Sequence, residues 1–348
     1  MHAGCMKTNI RSLFRLASWP RAIGIAIGLA VAVGVILTAF AWPAVRSAPH
    51  DVPVGVAGPS SAASQVAQRL DGVRPGAFEI HRYADRSAAE AAIRDRDVYG
   101  AVVLAPAGPP SVLTASAASP AVATALGEVA QSLGEPPASG PGVVEAVDVV
   151  PTTTDDPHGI GIALSPLPLI IGAILSAVLL GAAVGSLRAR VTGSLLFAAL
   201  GGLVSAAVLQ SWLGSLAGSY LANAAVLALG LAAISLTMVG LRSLAGAKGL
   251  AAGAVTMVLL GNPLSGLNSA PELLPIGWGT VGQLLPPGAT GQLLKSVAFF
   301  DGARATGPLV VLLAWAASGL LLTAAARSRG EHAAAAHSAE PQLLRAAG

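Results

Sequence analysis

AIGIAIGLAVAVGVILTAFAWPAV, residues 22–45, is an unbroken apolar run bracketed by Arg21 and Arg46. At 1.5 Å of rise per residue it is long enough to cross a bilayer core with some tilt. A secretory signal has a shorter apolar region, roughly 7–15 residues, so this run reads as a retained first transmembrane helix. Trp19 and Trp42 stand at its two ends, where interfacial aromatics anchor a spanning helix.

The two flanks of this run differ in charge. Residues 1–21 carry Lys7, Arg11, Arg15 and Arg21 and no acid, which places the N-terminus in the cytoplasm because positive flanks stay inside. Within them, residues 8–20 (TNIRSLFRLASWP) set Arg11 and Arg15 four apart, away from Ile10, Leu13, Phe14 and Leu16. An interfacial amphipathic helix and a basic topology flank both fit that stretch. Residues 46–160, on the other flank, carry seven Arg against thirteen Asp or Glu. Cys5 is the only cysteine, so a disulfide within the chain is excluded.

The acidic region has the texture of a small α/β domain. Strands are expected at Val52–Val56, Phe78–Tyr83, Tyr99–Leu104, Ser111–Ala115 and Val143–Val150, from β-branched or alternating apolar residues. Helices are expected at Ser60–Leu70, Ser87–Arg96 and Pro120–Leu133. Ser87 and Glu90 have the spacing of a capping box. Residues 136–142 read as a loop, and Pro151–Gly159 (PTTTDDPHG) as a linker to the next apolar region.

That region runs from 161 to 326. Its expected spans are 161–187, 191–210, 220–241, 249–261 and 307–326. The basic pairs Arg188 and Arg190, Arg242 and Lys248, and Arg327 and Arg329 fall at alternate ends, each without an acid, while the 211–219 connection is uncharged. The expected fold is therefore an α-helical polytopic membrane protein of about six spans. Both termini are cytoplasmic, and an extracytoplasmic α/β domain (46–160) is inserted between spans one and two. Residues 1–21 form the cytoplasmic basic segment, and 327–348 an Ala-rich cytoplasmic tail. The composition agrees: 54% of residues are apolar and 11% charged, against about 25% charged in soluble proteins. The expected location is the cell membrane, with the lipid bilayer as first partner.

The stretch 262–306 is broken by Pro263, Pro271, Pro275, Pro286 and Pro287, and its apolar pieces are too short to span. Proline removes a helix donor and clashes with the preceding turn. Non-helical backbone at membrane depth is tolerated only against protein or a water-filled cavity. With Leu273, Leu274, Ile276, Trp278, Leu284 and Leu285, the segment reads as re-entrant or surface-lying, with an ordinary external loop as the alternative. Gly24 with Gly28, Gly181 with Gly185, and Gly249 with Gly253 have the four-residue spacing that allows close helix approach.

Several chemistries find no footing. The spans hold essentially no ionisable residue in their middles, which argues against a proton relay through a buried carboxylate. Phosphate-loop, nucleophile-elbow and zinc-protease motifs are absent, so no enzyme, cofactor or metal is expected. Asp155, Asp156 and His158 cluster in the linker, where a solvated linker outweighs a cation site. No basic stripe with interleaved aromatics supports nucleic-acid binding.

One helix, an external α/β domain and then five helices resembles the permease subunits of type-two ATP-binding-cassette (ABC) exporters. The branch related to the phage infection protein of Gram-positive bacteria is particularly similar. The resemblance is carried by AAEAAIRDRDVYGAVVLAP, which ends at Pro106, and by GNPLSG, APELLP and LLPPGATGQLLKSVAFFDG within 261–302. It implies export of an apolar or envelope-related substrate by a homo- or heterodimeric permease served by an ATPase on a separate chain. Residues 8–20 would match the family's inner-surface helix. The turn Leu187–Thr192, with Arg188 and Arg190, would match its ATPase-contacting loop, although this turn is very short. The alternative is a non-transporting receptor or envelope factor that binds a partner through the extracytoplasmic domain.

Overall fold

The computed structural model describes residues 18–73, 75–104, 110–133 and 145–346. Most of the expected helix at 8–20 and the loop at 136–142 lie outside them. The chain divides into two compact units, Met1–Arg46 and Ser47–Gly348. In the first, α1 (Ser18–Val45) is apolar on every face, as suits a helix surrounded by lipid.

The second unit opens with a five-stranded mixed sheet. β1 (Val52–Ala57) lies between β2 (Phe78–Tyr83) and β3 (Gly100–Val103), parallel to both. β4 (Ser111–Thr114) runs antiparallel to β3, and β5 (Glu145–Asp148) lies parallel to β4 at the edge. The alternation of β1 buries Val52, Val54 and Val56 on one face, under α2 (Ser60–Val73) and α4 (Pro120–Leu133). Ala57, Ala101 and Leu113 face the other way, under α3 (Arg86–Arg94). Apolar residues on both faces account for the unbroken apolar sequence of β3, buried at Gly100, Ala101 and Val102.

The cap of α3 differs from the capping box expected at Ser87. Asp85 is the N-cap and accepts from Ala88 N at 2.9 Å. Glu90 instead pairs with Arg86 one turn earlier, at 2.8 Å.

Among the described residues, five helical segments are long and apolar enough to cross a membrane: Trp19–Val45, Ile160–Ala183, Leu187–Trp212, Tyr220–Gly261 and Thr306–Arg329. The second segment is two pieces, α5 (Ile160–Leu164) and α6 (Pro166–Ala183). Pro166 and Pro168 lack the N–H groups that would carry one helix into the next, and Pro166 starts a new one. α6 stops at Ala183, short of the expected 187, because Val184 is extended. The next helix, α7 (Leu187–Ala206), begins at once behind the Ser186 cap and continues as a π-turn, Ala207–Trp212.

α8 (Tyr220–Val255) and its π-turn Thr256–Gly261 reverse direction at Gly246, whose φ of 62° and ψ of −143° no side-chain-bearing residue adopts readily. Past that point Gly249 approaches the Leu241 carbonyl, and Gly253 lies against Met238 at an ideal-Cβ distance of 2.6 Å. Residues 220–245 and 247–261 are thus two antiparallel arms, matching the stretches expected at 220–241 and 249–261. The Gly249/Gly253 pair is a packing seam. Gly181 instead accommodates the Arg242 side chain, and Gly185 faces open space.

The broken segment is a string of short helical pieces. Turns at Pro263–Ser265 and Pro271–Leu273 lead into α9 (Trp278–Gln283) and α10 (Pro286–Phe299). Each of the two turns, and α10, starts on a proline, whose missing N–H costs nothing in a first turn. α10 is buried along most of its length. Thr290 fits against Gly230, well inside α8, and Trp315 donates to the Leu284 carbonyl at 2.8 Å. The last helix, α11 (Thr306–Ala346), crosses α8 where Gly240 and Gly319 meet. It continues through the Ala-rich tail as helix to Ala346, in keeping with alanine's helix propensity.

Candidate functional site

A cavity of about 900 Å³ opens where the sheet's lower edge meets the broken segment and the start of α11. The volume is at the upper end of ligand-sized pockets. Its wall from the α/β region includes His50, Asp51, Arg96, Asp97 and Tyr99; the broken segment contributes Glu272, Leu274, Ile276, Thr280 and Gln283. Gln292, Arg304, Pro308 and Val311 close it.

Arg96 organises the junction. α3 ends in a Schellman motif: Asp97 N bonds to the Ala92 carbonyl and Arg96 N to the Ile93 carbonyl. That motif puts its residue after the cap in left-handed backbone, ordinarily a glycine, and Arg96 sits there with φ 60°. The Arg96 guanidinium then reaches α10. Nη1 donates to the Gln292 carbonyl (3.1 Å) and to Ser296 Oγ, Nη2 to Gln292 Oε1 (2.6 Å), and the group stacks 5.2 Å from the Phe300 ring centre. Asp51 and Arg304 also line the cavity with positive φ, at 51° and 54°. Non-glycine residues held in this region cluster at functional sites.

Other polar groups are paired across the same junction. Tyr99 donates to Glu272 Oε2 at 2.8 Å, and burial followed by the Glu272 charge holds its phenol well above the usual range. Arg304 meets Asp97 at 2.6 Å. The backbone N–H groups of Ala48 and His50 bond to the carbonyls of Leu273 and Glu272. Behind the wall, on α10 and outside the five spanning segments, Lys295 is buried and donates to the Ala118 carbonyl at 2.9 Å. Burial, reinforced by the Arg96 charge and opposed by Glu272, pulls its amine down to about 7. Among the described residues, His50 Nδ1 is buried at the cavity edge without a hydrogen-bond partner.

No family model, curated protein or solved structure matches the chain.

Pro271 and Pro275 line the cavity; Pro263 starts a turn, Trp278 starts α9, Pro286 and Pro287 start α10, and Pro287 packs on Gly261. The turn expected at Leu187–Thr192 is helix: Arg188 and Arg190 belong to the first turn of α7, since the reversal is completed by Val184–Ser186. They point to different tasks. Arg190 Nε donates to the Val184 carbonyl at 2.8 Å, tying down the connection. Arg188 lines an open groove of about 450 Å³ with Val191, Leu320, Ala324 and Arg327. One linker acid is structural: Asp156 accepts from Ile160 N and Gly161 N, both at 2.8 Å, starting α5. The described residues hold no group of three metal-ligating side chains.

His50, Arg96, Tyr99, Glu272, Lys295 and Arg304 were not singled out by sequence. Their partners lie up to 207 positions away, and no local pattern marks such pairs. One signal was present: α3 ends in IRDRD, with arginine where a helix stop favours glycine.

Proposed function

We propose that this chain is the membrane permease subunit of an exporter, moving an apolar or envelope-related substrate outward, with energy supplied by an ATPase on a separate chain. In this reading the protein crosses the cell membrane about six times with both termini inside. The two arms of α8 count as separate crossings, and residues 46–160 stand outside.

The observation that carries the reading is the Arg96 junction. A receptor domain on a linker needs no deep contact with its membrane anchor. Here the α/β layer is joined to α10, and α10 packs against α8 and α11, so a change at the cavity is mechanically linked to the helices. The sparse charge within the spanning segments fits a conduit powered from elsewhere. The groove at Arg188 and Arg327 then lies on the cytoplasmic side and presents basic residues to the ATPase. A permease of this kind works as a dimer, and exposed Ile171, Leu175, Leu196 and Leu200 on α6 and α7 offer apolar surface for a second copy or for lipid.

The test is affinity purification of the tagged protein from native membranes. An ATPase should copurify with the wild type and be lost with Arg188→Glu, and deleting the gene should lower efflux of an apolar dye. Absence of any ATPase together with unchanged efflux overturns the reading in favour of a ligand-binding receptor, which the same cavity would serve without transport.

A further inference from the structure

The cavity lining combines two chemistries. Leu274, Ile276, Leu284 and Val311 supply apolar surface. Ile276 is 81% exposed and Leu284 58%, so the apolar lining continues to the surface. It adjoins Gly307 and Pro308, at the start of the spanning segment Thr306–Arg329. The rest of the lining is dense in hydrogen-bonding groups: His50, Tyr99, Glu272, Thr280, Gln283 and Gln292.

The carboxylates in the lining outnumber the arginines by one. Arg96 and Arg304 face Asp51, Asp97 and Glu272. Arg96 is spent on Gln292, Ser296 and the Phe300 ring, and Arg304 on Asp97. No surplus positive charge is presented to an anionic group, and an unpaired phosphate beside Glu272 and Asp51 would be repelled. Carboxylate, amide and phenol groups in one cavity suit neighbouring hydroxyls, which donate and accept at the same atom.

We propose that the cavity binds an amphiphile with a neutral, hydroxyl-rich head, of the glycolipid class, the head against Glu272, Tyr99 and Gln283 and the chain leaving past Ile276 and Leu284 toward the bilayer. The assignment rests on the membrane orientation given above and not on the ATPase.

The experiment uses the full chain in phosphatidylcholine nanodiscs doped equally with galactosyl diacylglycerol, phosphatidylglycerol and diacylglycerol of matched acyl chains, with retained lipid read by native mass spectrometry. Galactosyl diacylglycerol should be retained at least about five-fold over the other two, as one or two net hydrogen bonds allow. Glu272→Gln and, independently, Thr280→Val should each reduce that preference while leaving the thermal transition in place, and Ile276→Asp should reduce retention of all three lipids. Equal retention of diacylglycerol, a preference for phosphatidylglycerol, or an unchanged preference in both head-side variants overturns the proposal. An ATPase that fails to copurify overturns the permease reading and leaves this binding result standing.

Discussion

Arg96 holds left-handed backbone that costs a side-chain-bearing residue about 1–2 kcal/mol, and the hydrogen bonds its side chain makes to α10 offset that cost. Arg96→Gly relieves the backbone but leaves Gln292 and Ser296 without their charged donor. Bonds from charged donors are worth about 1.5–3 kcal/mol each, so a net loss of roughly 2–4 kcal/mol is expected, seen as a lower thermal midpoint in detergent. Arg96→Lys should recover little of it, because an ammonium cannot reproduce the forked contact. Lys295 gives the second prediction at this scale. Its amine lies near 7 in the fold against 10.5 unfolded, so below about pH 7 the fold buries a charge, and stability rises as pH climbs from there toward 10.5. Arg96 and Glu272 are the charged groups acting on it. Lys295→Met removes this slope. The variant's advantage in thermal midpoint should be largest at pH 6 and shrink by pH 9, and a constant difference would contradict the burial argument.

Among the elements, α8 shows what sequence reveals and what it hides. Its two arms were legible because Arg242 and Lys248 interrupt an otherwise apolar run. The reversal point was not, since Gly246 is one of 41 glycines and only its φ and ψ set it apart. Gly246→Val forces a branched side chain into that conformation and should cut the yield of folded protein sharply, read as monodisperse material after detergent extraction. The crossing of α8 with α11 is equally intolerant. A Cβ at Gly240 would stand 2.6 Å from the Gly319 carbonyl oxygen, so Gly240→Ala must push the helices apart, at about 1–3 kcal/mol for overpacking. The strands were readable for a different reason: Phe78–Tyr83 alternates and β1 is β-branched, both local signals. The break at Pro166 carried a local signal too, the prolines at 166 and 168, which the surrounding hydropathy masked.

For the molecule as a whole, the apolar runs conveyed the helical membrane character, but not the junction or its cavity. That site is assembled from residues near 50, 97, 272, 292 and 304, and each of these stretches taken alone looks like an ordinary loop or helix end. Sidedness is testable at this scale. In a Cys5→Ser background, Ala84→Cys should react with an impermeant maleimide in intact cells, and Arg329→Cys only after permeabilisation. The reverse pattern would overturn the proposed orientation.

The two cores of the sheet contain residues from far downstream. Ala270 is buried with Val54 and Val102, and Phe300 with Ile93 and Leu113. During synthesis the strands are complete once residue 148 has emerged, yet Phe300 follows only after roughly 8–30 seconds at about 5–20 residues per second. For that interval the nascent domain has an open apolar seat, a natural moment for a chaperone to hold it. Expressed alone, residues 47–158 should keep that seat open, bind a hydrophobic dye and aggregate, whereas the full chain should not. Maturation of the α/β layer therefore waits on the last third of the polypeptide, and any truncation upstream of residue 300 should route the product to proteolysis.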